Sequence, residues 1–321
     1  MINTDIVKIE NTGDLFQLTW TINNICTNHC RYCPQMLHQG QNHHYEWHHV
    51  ERFSRELFKR KNKIMLSIAG GEPTVSPWLK DLINLFRQQG HWVGVTSNGV
   101  RQGSYWDDGA PDYICLSYHA EFETDKWATR AIETQKRIEN CTARIMMDPE
   151  RWDQCERMYA IMKATKLGVE AVRILDWGGR STKVSYSEEQ LEWLTAAAST
   201  APRIKQPLPP QKWPTVHYYD GHRESATGVW ANQLINQDGH YFTGWQCDIG
   251  LDSLFVQYDG SYRRGNCSQG GYLGRLQDNL LNWPQEPVIC QLSRCHCTTD
   301  IITAKRLVTG QGGPYPVQPA A

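Results

Sequence analysis

The stretch CTNHCRYCP, residues 26–34, places Cys26, Cys30 and Cys33 in a C-x3-C-x2-C spacing. Three thiols so close together suit a metal centre, but a structural zinc ion takes four ligands. His29 and His38 are near enough in sequence to supply a fourth. The other reading is a 4Fe–4S cluster with one iron left to a small molecule. Directly upstream, LFQLTWTI (15–22) is a run of aromatic and β-branched residues that reads as a strand, so the cysteines leave its C-terminal end.

Downstream the chain alternates. Helical periodicity over 45–61 (Trp47, Val50, Phe53, Leu57, Phe58) is followed by a strand at 63–70, a helix at 76–90 and strands at 91–99 and 112–119. A helix at 125–139, a strand at 143–148, a helix at 149–168, a strand at 170–177 and a last helix at 187–200 complete the series. For the helix at 76–90, Ser76 is the expected N-cap, Pro77 its first residue and Gly90 its stop. Strand–helix alternation of this kind implies parallel strands with right-handed crossovers. Six units predict an α/β fold, a partial (β/α)6 TIM-like barrel with its site at the C-terminal ends of the strands, where residues 26–33 lie. Beyond it, APRIKQPLPPQKWP (201–214) reads as a linker, residues 253–267 as a hairpin turning at Asp259–Gly260, and 313–321 as a disordered tail. The expected domains are 1–205 for the barrel and 206–312 for a linker and a small C-terminal domain.

The composition suits such a fold: 321 residues, 40% hydrophobic, 21% charged, with a formal net charge of −1 that gives no sign of a polyanion-binding surface. No apolar run is long enough to span a membrane, and the first residues are too polar for a secretory signal. A cytoplasmic, reducing location is expected, where clustered thiols are metal ligands or catalysts rather than disulfides. The odd count of 11 cysteines agrees with that.

On CTNHCRYC and on AGGEP (69–73) at the end of the next strand, the chain resembles the radical S-adenosylmethionine superfamily, over roughly residues 15–180 and again 245–300. The resemblance implies a 4Fe–4S cluster on Cys26, Cys30 and Cys33, whose open iron is chelated by S-adenosylmethionine, with Tyr32 against the adenine. It places Gly70, Gly71, Glu72 and Pro73 at the cosubstrate. The glycines would allow close backbone approach, and the Glu72 carboxylate would accept from the methionyl ammonium. It further implies cosubstrate contacts from Ser97 and Asn98 (TSNG), Ser117 and His119 (LSYH), and Arg144 toward the methionyl carboxylate. Cys115 shares a strand face with Ser117, so it too should point into the barrel, as a buried core thiol.

Cys247 and Cys267 flank the predicted hairpin, and CQLSRCHC adds Cys290, Cys295 and Cys297. This resembles the twitch domain, or part of the longer SPASM domain, and implies a second, auxiliary 4Fe–4S cluster that takes four of the five thiols. Zinc is the alternative there. The implied activity is reductive cleavage of S-adenosylmethionine and hydrogen-atom abstraction, with the auxiliary cluster accepting an electron. The substrate is a small molecule, a peptide or a nucleotide, and the reductant flavodoxin- or ferredoxin-like. With only residues 1–25 ahead of Cys26, a peptide substrate would need a separate recognition protein. A non-catalytic iron–sulfur electron carrier is the reading from a different class.

Overall fold

The computed structural model describes residues 5–308, except 12, 14, 39, 41–44, 166, 176–183, 199–212 and 279–282. The expected linker up to 212, the expected boundary at 205/206 and the expected tail lie outside the described residues. The elements are β1 (Ile6–Glu10), β2 (Leu15–Thr21), α1 (Trp47–Phe58), β3 (Lys63–Ala69), α2 (Leu79–Gln88), β4 (Trp92–Ser97), β5 (Tyr113–Tyr118), α3 (Lys126–Gln135), β6 (Cys141–Met147), α4 (Trp152–Lys163), β7 (Gly168–Arg173) and α5 (Glu188–Ala198). There follow β8 (Thr215–Tyr218), β9 (Arg223–Ser225), α6 (Gly228–Asn236), β10 (Gln246–Cys247), β11 (Ser253–Val256), β12 (Ser261–Arg263), β13 (Tyr272–Arg275), β14 (Val288–Ile289), α7 (Thr298–Ile302) and β15 (Lys305–Arg306).

Strands β2 to β7 lie side by side in chain order, all parallel, as the alternation predicted. Their outward side chains, among them Leu18, Leu66, Val93, Ile114 and Ala143, are buried against Val50, Leu57, Leu82 and Phe86 of the surrounding helices. Each such aliphatic side chain removed from water contributes about 1.5–3 kcal/mol. The inward face is different: Thr19, Ser67, Thr96, Cys115, Ser117 and Arg144 line a cavity. The sheet does not close; β7 is one edge and β13 the other.

The hairpin β11–β12 forms with Val256 opposite Tyr262, and Gly260 takes the positive φ of 80° that its turn requires. Its place was not foreseen. β11 pairs parallel with β2, Ser253 against Gln17 through Val256 against Trp20, so the C-terminal part extends the barrel sheet itself. The exchange is mutual. β1, missed in a polar-looking start, joins a second sheet of order β14-β10-β15-β1-β8-β9. Two further differences are local. The 3-10 turn Pro73–Val75 precedes α2, and the cap of α2 is Trp78, not Ser76. Ser76 is held extended ahead of Pro77, and its hydroxyl has no partner among the described residues. Gly90 does end α2, at φ 75°. Among the described residues no helix is long and apolar enough to cross a membrane.

Candidate functional site

The loop that carries Cys26, Cys30 and Cys33 is tied to the ends of four neighbouring strands. After β3, Gly71 N donates to Asn23 O (3.0 Å), Glu72 N to Ile25 O (2.7 Å), and Asn23 Nδ2 to Glu72 O (3.0 Å). After β4, Asn98 Nδ2 donates to Thr27 Oγ1 at 2.8 Å. Beyond β5, Glu121 accepts from Arg31 N at 3.1 Å. Beyond β6, the Arg31 guanidinium pairs with the buried Asp148 and, at 2.9 Å, with Glu150. Arg31 and Asp148 had no signal in the sequence, because 117 residues separate them.

The three thiols line the same cavity, of about 490 Å³. Burial pushes Cys30 and Cys33 up to about 12, each further disfavoured as a thiolate by a neighbouring thiol, and it raises Cys26 as well. Three soft donors that cannot ionise alone near neutral pH but sit together suit a cationic iron–sulfur centre, which would hold them as thiolates. His29 and His38, the candidate fourth ligands for zinc, turn to each other instead, Nδ1 to Nδ1 at 3.3 Å. Among the described residues no three His, Cys, Asp or Glu side chains converge as a single ion would require.

Glu72 is fully buried, and its carboxylate accepts from Thr74 N (3.0 Å), Thr74 Oγ1 (2.7 Å), Ser97 Oγ (2.8 Å) and Asn98 N (2.7 Å). With these bonds the carboxylate clasps β4's end, and Glu72 is not among the residues that line the cavity. Pro73 likewise begins the 3-10 turn and does not line the cavity. Gly70 and Gly71 do line it, and a side chain there would strike the cysteine loop. A Cβ on Gly71 would stand 2.2 Å from Ile25 O, and on Gly70 2.8 Å from Asn23 O. Gly71→Ala should thus push the loop off the turn and lower the iron retained after reconstitution and desalting by several-fold. Wild-type iron content in that variant would show that the close approach is dispensable.

Ser97 and Asn98 both line the cavity, Ser117 and His119 with them. Tyr32 is buried, stacked on His119 at 6.0 Å between ring centroids, with its hydroxyl 2.7 Å from His119 Nδ1. Arg144 lines the cavity too. Its Nη2 lies 3.2 Å from Glu170 on β7, and Asn232 Nδ2 of α6 donates to the same carboxylate oxygen at 2.7 Å. The guanidinium lines the cavity with Nε and Nη2 paired to Glu170. Cys115 faces the cavity as strand alternation implied, its thiol pushed up to about 11 by burial.

The second cysteine set is gathered by the small sheet. Cys247 lies in β10 opposite Lys305 of β15, Cys290 N donates to Trp245 O at 2.8 Å, and Cys295 N to His240 O at 2.9 Å. The thiols lie within electrostatic reach of one another: apart from burial itself, Cys247 and Cys295 disfavour ionisation of Cys267, Cys290 that of Cys247, and Cys297 that of Cys295. Sequence reading missed two charged residues here. The Asp300 carboxylate accepts from Cys267 N (2.7 Å) and Asn266 N (3.2 Å), and buried Lys305 donates to Asp300 O (2.6 Å). This buried ammonium lies within electrostatic reach of Cys247, Cys290 and Cys295 and can balance negative charge there. Of the five, Cys297 lines the barrel cavity.

The profile of the Radical SAM superfamily matches residues 20–115. A search of curated proteins finds no match. Among solved structures, Streptococcus suis SuiB bound to its precursor peptide SuiA is similar at a TM-score of 0.57 and 12% identity, over 83% of this chain and 63% of that one. SuiB bound to S-adenosylmethionine gives 0.54 and 13%, over 83% and 64%. Native anSMEcpe with bound AdoMet and Kp18Cys peptide gives 0.52 and 15%, over 82% and 78%. The chain thus spans just under two thirds of the length of SuiB. At these identities the likeness is one of fold.

Proposed function

We propose that this chain, whose residues 20–115 match the Radical SAM superfamily, is an enzyme that cleaves S-adenosylmethionine reductively at Cys26, Cys30 and Cys33 and uses the second cysteine set as an electron acceptor in a net oxidation or bond formation. What a 4Fe–4S cluster with S-adenosylmethionine would supply there is homolysis of the sulfonium C5′–S bond and, from it, hydrogen-atom abstraction. The chain's own residues supply the rest. The Gly70–Gly71 backbone and the Ser97 and Asn98 groups form a polar rim, Tyr32 and Ile174 an apolar wall, and the enclosing strands keep water and stray hydrogen donors away.

One observation carries the reading: a single cavity reaches from the first three cysteines to Cys297. A substrate lying in it would touch both ends. The boundary between barrel and auxiliary region is then a wall of the active site rather than a linker. The substrate class that fits best is a small molecule or a peptide segment. The peptide reading, with a separate recognition protein, is favoured by the peptides bound in the SuiB and anSMEcpe structures. A flavodoxin- or ferredoxin-like protein would provide the electron.

The test is iron content beside product analysis. Cys247→Ala or Cys267→Ala should lower reconstituted iron from about eight atoms to about four while uncoupled formation of 5′-deoxyadenosine survives. Full iron in the variant with both changes, Cys247→Ala and Cys267→Ala together, would refute the auxiliary cluster.

A further inference from the structure

The C-terminal hairpin carries the inward face of the barrel further. β11 continues the sheet beside β2 with Phe255 opposite Thr19, and β12 sets Arg263 opposite Phe255. Side chains alternate along both strands. Val256 and Tyr262 are buried on the outer face, Tyr262 against Phe53 of α1 at 5.3 Å between ring centroids. Phe255 and Arg263 therefore take the inner face, and both line the cavity with Thr19. Three guanidiniums reach this cavity, those of Arg144, Arg173 and Arg263. Arg144 is paired with Glu170, and Arg173 Nη1 lies 3.8 Å from Asp238. Arg263 has no carboxylate partner among the described residues. Asp259, on the same hairpin, accepts from Ser261 N and Oγ at 2.9 and 2.6 Å and lies 3.9 Å from Arg275. One arm of the Arg263 guanidinium is fixed, since Nη1 donates to Ser268 Oγ at 2.8 Å. Ser268 holds a φ of 62°, uncommon for a residue with a side chain. The Nε–Nη2 edge bonds nothing among the described residues. That edge can take a carboxylate or a phosphate through two parallel hydrogen bonds.

We infer that Arg263 anchors an anionic group of the substrate, a carboxylate or a phosphate, in the part of the cavity that the hairpin lines. The inference rests on the function proposed above and narrows its substrate to one that carries negative charge. Arg263 is half-buried, and a cation drawn out of water is stabilised by an anion that meets it. The one carboxylate among the cavity's lining residues, Glu170, is held by Arg144, so no unpaired carboxylate there repels an anion. The Phe255 ring beside Arg263 suits the apolar part of the same group. With one arm fixed on Ser268, the fork holds its partner in one orientation, which sets what part of the substrate faces the first cysteines.

The test is a calorimetric titration of the reconstituted protein, saturated with S-adenosylmethionine and kept without reductant. The probes are capped tripeptides with Glu, Gln or phosphoserine between two alanines. The Glu or the phosphoserine peptide should bind about tenfold more tightly than the Gln peptide, as a charge-assisted pair in a shielded site provides. The tighter of the two tells whether the anion is a carboxylate or a phosphate. Arg263→Gln should bind all three alike, near the native affinity for the Gln peptide, which also shows that the variant is folded. Arg263→Lys keeps the charge but not the fork and should retain a preference of about threefold. A native protein that binds none of the three, or binds them alike, would overturn the inference. So would a preference that survives in Arg263→Gln, with or without weaker S-adenosylmethionine binding. Formation of 5′-deoxyadenosine is measured on the same preparation after reduction. Its absence beside a clear charge preference would overturn the proposed function and leave the anion site standing.

Discussion

Changing Cys26, Cys30 and Cys33 together to Ala should lower the iron of the anaerobically reconstituted protein from about eight atoms to about four and abolish 5′-deoxyadenosine formation. The loop bearing these thiols is held by backbone and side-chain bonds that do not involve the sulfurs, to Gly71, Glu72, Asn98 and Glu121. The triple variant should therefore fold with its second cysteine set intact, and the missing iron reports on the first site alone. Retention of all the iron would refute the assignment.

Loss of Glu72 should have the largest effect on the fold. Glu72→Ala would strand the Thr74, Ser97 and Asn98 donors around a buried void, at a cost of about 1–3 kcal/mol for each donor left unsatisfied. Glu72→Gln keeps the shape but sets an amide NH2 against N–H donors, and should cost about 1–3 kcal/mol. Because Asn98 also holds Thr27, both variants should lose cluster iron as well as cosubstrate affinity, Ala more than Gln. Denaturant unfolding of the apo-protein with parallel iron assay checks this. Weakened cosubstrate binding with stability and iron unchanged would restore the direct contact that the carboxylate was first expected to make.

The two outcomes for Glu72 show where sequence reading reaches its limit. The alternation of apolar strands and amphipathic helices specified β2 to β7 because each unit buries its own face against its neighbour. The C-x3-C-x2-C loop and GGEP turn were legible because both are local and both follow strand ends. Their meeting follows from β2 pairing with β3, residue for residue up to Thr21 against Ala69. What a side chain bonds across the sheet was not legible. Glu72 faces Ser97 from 25 positions away, and Arg144 meets Glu170 from 26 away. Nothing in the local pattern distinguishes a buried clasp or ion pair from an open contact. The same holds for β1 and β11. Both are short, and each takes its place from a partner strand more than two hundred residues distant. Lys305 and Asp300 were invisible for a related reason: a charged residue becomes informative only when it is found buried beside thiols.

The most direct measurement is chromatographic. The reconstituted native protein, chemically reduced without oxygen and given S-adenosylmethionine alone, should form 5′-deoxyadenosine and methionine in equal amounts, slowly and without a substrate. Both should be absent when the reductant is left out. S-adenosylmethionine recovered intact from fully reduced, iron-replete protein would contradict the account.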